Sequence, residues 1–476
     1  MESQAGNIRF FNSLTREKEK FVPVEKGKVR MYTCGLTVYD FGHIGNFRAF
    51  VFEDVLRRWL EYRGFEVIQV MNLTDVDDRT IKASKKNGVP LNKYTQRYTS
   101  AFFEDVATLN IEKAEYYPKA TEHIPEMVAL IAKLMEKGYA YRGEDGSIYY
   151  DISKFKDYGK LANIKVENLK PGARVKVDEY AKEEPQDFAL WKAWSEEDGD
   201  VYWETPFGRG RPGWHIECSA MSMKYLGETL DVHCGGVDNM FPHHENEIAQ
   251  SEAATGKKFV NYWLHCEHLL VEGRKMAKRL GNYYTVRDLT TKGYDPKAIR
   301  YLLLAAHYRQ QVNFTFESLE AAKNTLDRLT NFVHRLLGAD GRGSGEQLRL
   351  LIDRVRNGFG EAMDDDLNIS VALAALFDFV RDVNNLLDGN VISKGEAQEV
   401  YNLMLKFDKV VGVLGEIKKE EKLPKEAEEL ILKREEARKA KDWKTADEIR
   451  QQLKTMGISI EDTSQGVKWR FSKPTS

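Results

Sequence analysis

The sequence predicts an α/β protein in which a parallel sheet, interrupted by an insertion, is followed by an α-helical bundle and a small C-terminal α+β module. Three observations predict it. The chain opens on a strand–helix–strand pattern; strand and helix alternation breaks off near residue 114 and resumes near 205; and strands give way to helical periodicity after Phe316.

The first β-prone run, 29–33, ends at Cys34–Gly35. A helical apolar period follows from about residue 49 to 62, stopped by Gly64, and 65–71 again reads as a strand. That spacing is a βαβ unit, which places ligands at the carboxyl ends of parallel strands, where Thr74, Asp75, Asp77 and Asp78 fall. Residues 114–204 read as an insertion, with a helix at 125–137, a strand at 147–151 and then a stretch dense in Lys, Glu, Trp and Gly. Helix 214–224, strand 230–233, helix 243–254 and strand 260–266 complete the sheet. Four helical segments, 319–337, 346–359, 369–387 and 394–413, make a bundle. Beyond a Lys/Glu-rich linker at 417–425 come two helices and a β-hairpin, in which 430–476 carries 11 Lys and Arg against 7 Asp and Glu. The expected domains are therefore 1–113 and 205–315, two halves of one catalytic domain, with 114–204 inserted, then 316–415 and the basic module 416–476.

Composition narrows the function classes. Over 476 residues, 42% hydrophobic and 30% charged content is that of a globular chain, and a formal charge of -3 means that any nucleic-acid affinity must come from local patches. No apolar stretch approaches membrane-spanning length and residues 1–10 lack a basic-then-apolar leader pattern, so a cytoplasmic enzyme with no membrane partner is expected. The four cysteines, Cys34, Cys218, Cys234 and Cys266, form no Cys-x-x-Cys pair and argue against a disulfide scaffold.

Two loops carry nucleotide chemistry. In Tyr39-Asp40-Phe41-Gly42-His43-Ile44-Gly45-Asn46, glycines let backbone approach a ligand, a helix N-terminus favours phosphate, and a histidine can donate a hydrogen bond to the charge that builds on a phosphate in a displacement transition state. In Gly273-Arg274-Lys275-Met276-Ala277-Lys278-Arg279-Leu280-Gly281-Asn282, lysines on a glycine-bracketed loop can neutralise a triphosphate. Separately, each is also compatible with an ordinary surface turn. Together, in this order and on these elements, they resemble the HIGH and KMSKS signatures of class I aminoacyl-tRNA synthetases. Asn46 stands where the family has a second histidine, and Ala277 and Arg279 where it has two serines; Asn46 still offers an amide donor, whereas loop closure without the hydroxyls is placed in doubt.

His243 and Glu247, four residues apart on one helix, share a face as two ligands of one metal can, although such pairs are more often hydrogen-bonded surface pairs. Spacing alone does not separate Cys34, Cys218, His243 and Glu247 from His233, Cys234, His244, His265, Cys266 and His268. Resemblance to cysteinyl-tRNA synthetases does. Cys34 before the HIGH-like loop, Gly213-Trp214-His215-Ile216-Glu217-Cys218, Phe241-Pro242-His243-His244-Glu245-Asn246-Glu247, Asn72-Leu73-Thr74-Asp75-Val76-Asp77-Asp78 and Gly466-Val467-Lys468-Trp469-Arg470 all match that family.

The resemblance implies a Rossmann-type class I catalytic domain with an acceptor-end insertion (114–204), an anticodon-stem bundle and an anticodon module. It implies one zinc ion per chain on Cys34, Cys218, His243 and Glu247. Cysteine would lie against Gly35, Thr74, Trp214 and His233, although Thr74 could equally cap a helix. ATP, accompanied by Mg2+, would bind at Gly42, His43, Gly45, Asn46, Asp238 and Lys278, with His43, Asn46, Lys275 and Lys278 catalytic. The partners implied are L-cysteine, ATP and tRNA(Cys), and the enzyme would be a monomer. Two other readings stay open: a tRNA-independent ligase joining cysteine to a small amine, disfavoured by the bundle and basic module, and a non-catalytic zinc module that binds RNA with decayed nucleotide loops.

Overall fold

The computed structural model describes residues 7–164, 174–175, 186–415, 424–463 and 466–471. Two compact units divide the chain, Met1–Ile417 and Lys418–Ser476.

The first unit is built on a four-stranded parallel sheet in the order Val260–Cys266, Leu230–Gly236, Lys28–Thr33, Glu66–Met71. The chain enters at the inner strand Lys28–Thr33, moves outward to Glu66–Met71, and later returns to the other side of its starting strand. The direction of winding therefore reverses between Lys28–Thr33 and Leu230–Gly236, and the crevice outside their carboxyl ends is where such sheets bind ligands. Both faces are covered, and apolar side chains such as Val29, Met31, Val67, Val70, Val232 and Leu264 fill buried positions of the strands. The Ile44–Tyr62 helix covers one face, and its core continues through Phe47, Val51 and Leu56 into the bundle. The Trp214–Leu226 and His243–Thr255 helices belong to the other face, where Tyr32, Leu230, Ile248 and Trp263 pack around Cys34 and Cys218.

The insertion holds the Ile124–Glu136 helix and a sheet whose strands run antiparallel in the order Ala140–Arg142, Ile148–Tyr150, Asp187–Ala193, Gly208–Pro212, Trp203–Thr205, with Arg174–Val175 pairing parallel to Asp187–Ala193. That sheet runs past residue 204, since Gly208–Pro212 pairs with Asp187–Ala193. Its Gly-Arg-Gly-Arg-Pro sequence has no β-prone side chain and gave no strand signal. Arg211 then ties the insertion to the helix after Thr74: it donates to Asp78 and, at 2.7 Å, to Asp198, while Lys192 reaches Asp78 at 3.1 Å.

Four helices, Phe316–Leu337, Glu346–Asp364, Ile369–Asp388 and Lys394–Val411, form the bundle at the expected positions. A fully buried Arg300 clamps it to the sheet helix, pairing with Asp54 at 2.5 Å while donating to the carbonyls of Val411 at 2.8 Å and Leu109 at 3.0 Å. The second unit contains the helices Lys425–Lys439 and Trp443–Thr455 and the antiparallel hairpin Ile458–Thr463/Gly466–Phe471, around Ala427, Ile449, Leu453 and Ile458. Most of the linker read at 417–425 lies outside the described residues. No helix among the described residues is long and apolar enough to cross a membrane.

Candidate active site and metal centre

The nucleotide-side loop is a helix start. The sequence suggested a loop ahead of a helix beginning near residue 49, but the helix begins at Ile44, with His43 as its N-cap. The apolar period is weak there because Gly45 and Asn46 occupy the first turn. His43 Nδ1 accepts from the Asn46 backbone N–H at 3.1 Å, and Asn46 Oδ1 accepts from the His43 N–H at 3.0 Å, a reciprocal capping box. A backbone amide only donates, so His43 Nδ1 is bare and the neutral ring carries its proton on Nε2. Asn46, with its oxygen engaged, keeps its amide nitrogen for the cleft. Burial pushes the His43 pKa below its ordinary 6.5, which keeps that neutral form at pH 7.

The cleft itself, about 230 Å³, is lined by Cys34, Gly35, His43, Asn46, Asp238 and Lys275, among others. Gly35 is there for close approach: a Cβ on it would stand 1.7 Å from the Asn72 carbonyl oxygen. Gly45 also lines the cleft, whereas a Cβ on Gly42 would meet the Phe47 ring instead.

The basic loop closes one side. Lys275 reaches the cleft lining, but Lys278 is turned outward: its ammonium pairs with the Asp40 carboxylate and lies 5.0 Å from the centroid of the Tyr283 ring. Tyr283 in turn meets the His43 ring edge-on at 5.3 Å, and the Ile44 N–H donates to the Tyr284 carbonyl at 2.9 Å. The far end of the loop is thus pinned to the helix start. Asn282 holds the loop together, accepting from the Ala277 N–H at 2.9 Å and donating to the Lys275 carbonyl at 3.2 Å. Asp40 and Tyr283 were not singled out by sequence reasoning, although Asp40 stands in the first loop.

At the base of the crevice Cys34, Cys218, His243 and Glu247 come together, all buried, with one donor atom from each within 4.8 Å of the others. A tetrahedral zinc with legs of about 2.0–2.3 Å has edges of roughly 3.3–3.8 Å, so small adjustments close the site. The donor chemistry fits a cation: three of the four side chains can be anionic, and the ion pairs recorded for Glu247 are all to histidines, His243 at 3.1 Å, His233 at 3.0 Å and His244 at 4.0 Å. Burial pushes the Glu247 carboxyl far up, and a bound cation reverses that. In the cysteine pair, burial opposes charge on both. At Cys218 the hydrogen bond from Cys34 and the neighbouring His243 outweigh it and draw the pKa well below its ordinary value, whereas burial pushes the Cys34 thiol up. In a second group, Cys34, His233, His244 and Glu247, one donor atom from each also lies within 4.8 Å of the others.

The histidines are braced from behind, as metal-binding imidazoles usually are. His243 Nδ1 lies 3.0 Å from His215 Nδ1. His244 Nδ1 lies 2.9 Å from His265 Nε2, whose Nδ1 is 2.8 Å from Ser13 Oγ. Burial drives the His233 and His265 pKa values down to about 3, so both are neutral.

Around this group stand the residues expected against cysteine. Trp214 stacks on His243 with ring centroids 4.1 Å apart, and His233 stacks on Trp263 at 4.5 Å. Thr74 is no helix cap, because Asp77 caps the following helix through Thr80. Its hydroxyl instead donates to Glu217 Oε2 at 3.1 Å and accepts from Asn72 Nδ2 at 3.2 Å, while Asn72 Oδ1 accepts from the Gly35 N–H at 2.9 Å. Asn72 and Glu217 lie in segments already noted, but only the fold brings them to Thr74.

Comparison with known proteins gives three family matches: the class I (C) tRNA synthetase catalytic domain over residues 20–324, the DALR domain over 358–415 and the cysteinyl-tRNA ligase anticodon binding domain over 420–470. The cysteine–tRNA ligase of Protochlamydia amoebophila is 53% identical over 464 residues, 97% of both chains, and that of Brachyspira hyodysenteriae is 51% identical over 473 residues, 98% of this chain and 99% of the relative. Among solved structures, Mycobacterium tuberculosis methionyl-tRNA synthetase with methionyl-adenylate superposes with a TM-score of 0.61 at 15% identity, covering 80% of this chain and 89% of that one. A leucyl-tRNA synthetase from Agrobacterium radiobacter K84, solved in a ternary complex, superposes with a TM-score of 0.59 at 13% identity, covering 83% and 85%. At those identities the likeness is one of fold.

Proposed function

The chain belongs to the cysteine–tRNA ligase family of class I aminoacyl-tRNA synthetases, and from that premise we propose that it activates L-cysteine with ATP and transfers it to tRNA(Cys), selecting cysteine through zinc. The observation that carries the zinc reading is the buried Cys34–Cys218–His243–Glu247 group, with Cys34 shared between it and the cleft lined by His43 and Asn46.

In the first step the cysteine carboxylate attacks the α-phosphorus of ATP, accompanied by Mg2+, and pyrophosphate leaves. The residues supply positioning and charge, with no covalent enzyme intermediate. Neutral His43 donates from Nε2 and Asn46 from its amide to phosphate oxygens, and Lys275 and Lys278 neutralise the leaving pyrophosphate. Gly45 admits the nucleotide and Asp238 meets its ribose. In the second step the acyl group passes to the terminal ribose of the tRNA.

Zinc, when bound, supplies an open position that takes a thiolate in preference to a neutral hydroxyl. Pocket shape alone separates such near-isosteres only modestly. Gly35, Thr74, Trp214 and His233 fix the rest of the amino acid: Trp214 and His233 wall the site, and Thr74, whose hydrogen is already given to Glu217, offers an acceptor. We read 1–113 and 205–315 as the catalytic domain, 114–204 as the acceptor-end insertion, 316–415 as the stem-binding bundle and 416–476 as the anticodon module, in a cytoplasmic monomer.

The test is cysteine-dependent ATP–pyrophosphate exchange, charging of tRNA(Cys), and metal content. We expect one zinc per chain, lost in Cys34→Ser. Exchange without charging would favour a tRNA-independent ligase; absence of both would overturn the proposal.

A further inference from the structure

The Ile44–Tyr62 helix turns one stripe of side chains to the cleft, Asn46, Ala49, Phe50 and Glu53, at the i, i+3, i+4 and i+7 spacing of a single helical face. In the proposed reaction Asn46 serves the phosphates; Ala49 and Phe50 are apolar, and Glu53 closes the stripe with a carboxyl. We propose that Glu53 is a specificity-determining residue that receives the adenine base of ATP, accepting a hydrogen bond from its 6-amino group. This deepens the proposed reaction and rests on the reading that ATP occupies the cleft.

Glu53 is fully buried, and both of its carboxyl oxygens lack a hydrogen-bond partner among the described residues. The groups that feel its charge are the thiols of Cys34, Cys234 and Cys266, none of them a cation. The other acids of the cleft lining, Asp238 and Glu267, are at least partly exposed and can be satisfied by water. A buried carboxyl that nothing satisfies destabilises the fold, which a leucine in the same place would not do. A partner that arrives with the ligand relieves that state.

The surroundings fit a purine better than the ammonium of the amino acid. Ala49, Phe50, Cys266 and Leu269 give this part of the cleft apolar surface for the faces of a flat ring, next to His43 and Asn46 on the phosphate side and Asp238 for the ribose. Cys234 and Cys266 pack in the core on the Ile44–Tyr62 side of the sheet, whereas Cys34 and Cys218, where cysteine is proposed to bind, belong to the core on the other side. A carboxyl oxygen accepts from an amino group in either protonation state. Burial alone pushes the Glu53 pKa far up, and the neutral acid adds an O–H that donates to the ring nitrogen beside the amino group, the pattern with which an amide side chain pairs with adenine. Its oxygens are already withdrawn from water, so the bond to the base displaces none, and a turn of the side chain brings the carboxyl to the ring.

The experiment uses the full zinc-loaded chain and compares ATP with purine riboside triphosphate, which lacks the 6-amino group, in cysteine-dependent pyrophosphate exchange. The unaltered protein is expected to prefer ATP, in kcat/KM, by about tenfold, the scale of a hydrogen bond lost from a buried group. Glu53→Leu should raise the KM for ATP by about tenfold and bring the two nucleotides within about twofold of each other, with the KM for cysteine unmoved. Glu53→Gln, which keeps one acceptor and one donor, should retain the preference for ATP. Circular dichroism checks each fold, and Glu53→Met is read in the same way should Glu53→Leu not fold. If Glu53→Leu or Glu53→Met leaves the preference between the two nucleotides as it was, the carboxyl is only a buried group of the core and the inference is wrong. A rise in the KM for cysteine in place of that for ATP would assign Glu53 to the substrate ammonium and overturn it as well. If the unaltered protein exchanges pyrophosphate but treats the two nucleotides alike, this inference alone has failed; if it neither binds ATP nor exchanges pyrophosphate, the proposed function has failed with it.

Discussion

At one end of the cleft Cys34, Cys218, His233, His243, His244 and Glu247 are buried, and each of the three histidines is braced by another imidazole or a carbonyl. At the other end the Lys278 side chain is 61% exposed and paired to Asp40, on a loop anchored through Asn282 and the Tyr283–Thr285 segment. The contrast separates two tasks. In the proposed reaction the buried end tells a thiolate from a hydroxyl, a task that requires donors that do not move. In the same proposal the other end grips a triphosphate and releases pyrophosphate, which requires charge that moves in and out, and the Lys278–Asp40 pair there is exposed and intrinsically weak.

Substitutions should fail in different ways at the two ends. The largest effect is expected from Cys34→Ser, which is common to both donor groups: metal content falls to background and cysteine activation with it, while ATP affinity, measured by calorimetry, stays within about twofold because His43, Asn46 and the basic loop are untouched. Equal loss of ATP binding would erase the distinction. Lys278→Ala should do the reverse. The turnover of pyrophosphate exchange should drop by roughly 10²–10³-fold, the scale for removing one transition-state charge contact, with metal content unchanged.

The pH dependence of His43 comes next. Burial holds its folded pKa below 6.5, so folding favours the neutral ring. The contribution is complete above pH 6.5 and is lost as pH falls through the depressed value, when a proton on Nδ1 breaks the bond from the Asn46 amide. Proton NMR of the ring should show a midpoint below 6.5 with the Nε2–H tautomer at pH 7; a midpoint above 6.5 would contradict the cap geometry. The smallest effect is expected from Asp40→Asn, which keeps the acceptor for the Phe41 N–H but removes the charge holding Lys278. The KM for ATP should fall about two- to fivefold, as freeing a lysine from an exposed pair permits. A rise would mean that Asp40 aims Lys278 productively.

The same contrast governs what could be read from the sequence. The sheet strands and bundle helices were legible because double-sided burial writes apolar runs and one-sided burial writes a helical period. The His243–Thr255 helix obeys neither rule. Nearly all of it is buried, yet it carries His243, His244, Glu245, Asn246, Glu247 and Gln250. Several of its polar groups are satisfied by distant partners: Gly159 and Ala162 amides on Glu245, the Tyr158 hydroxyl on Asn246, the His215 carbonyl for Gln250 Nε2. No periodicity reports such burial, so His243 and Glu247 could be picked out from sequence only by family pattern. The start of the Ile44–Tyr62 helix was missed because its capping box is His-x-x-Asn, and the Gly208–Pro212 strand because its pairing is backbone alone.

The account turns on whether the buried donor group selects the amino acid. The direct measurement is pyrophosphate exchange with cysteine and with serine, on the zinc-loaded protein, after removal of the metal, and after zinc is restored, with ATP binding followed in parallel. We predict that cysteine-dependent exchange disappears with the metal and returns with it, that serine supports none in any state, and that ATP binding persists throughout. Cysteine-dependent exchange that survives in fully metal-free protein would contradict it.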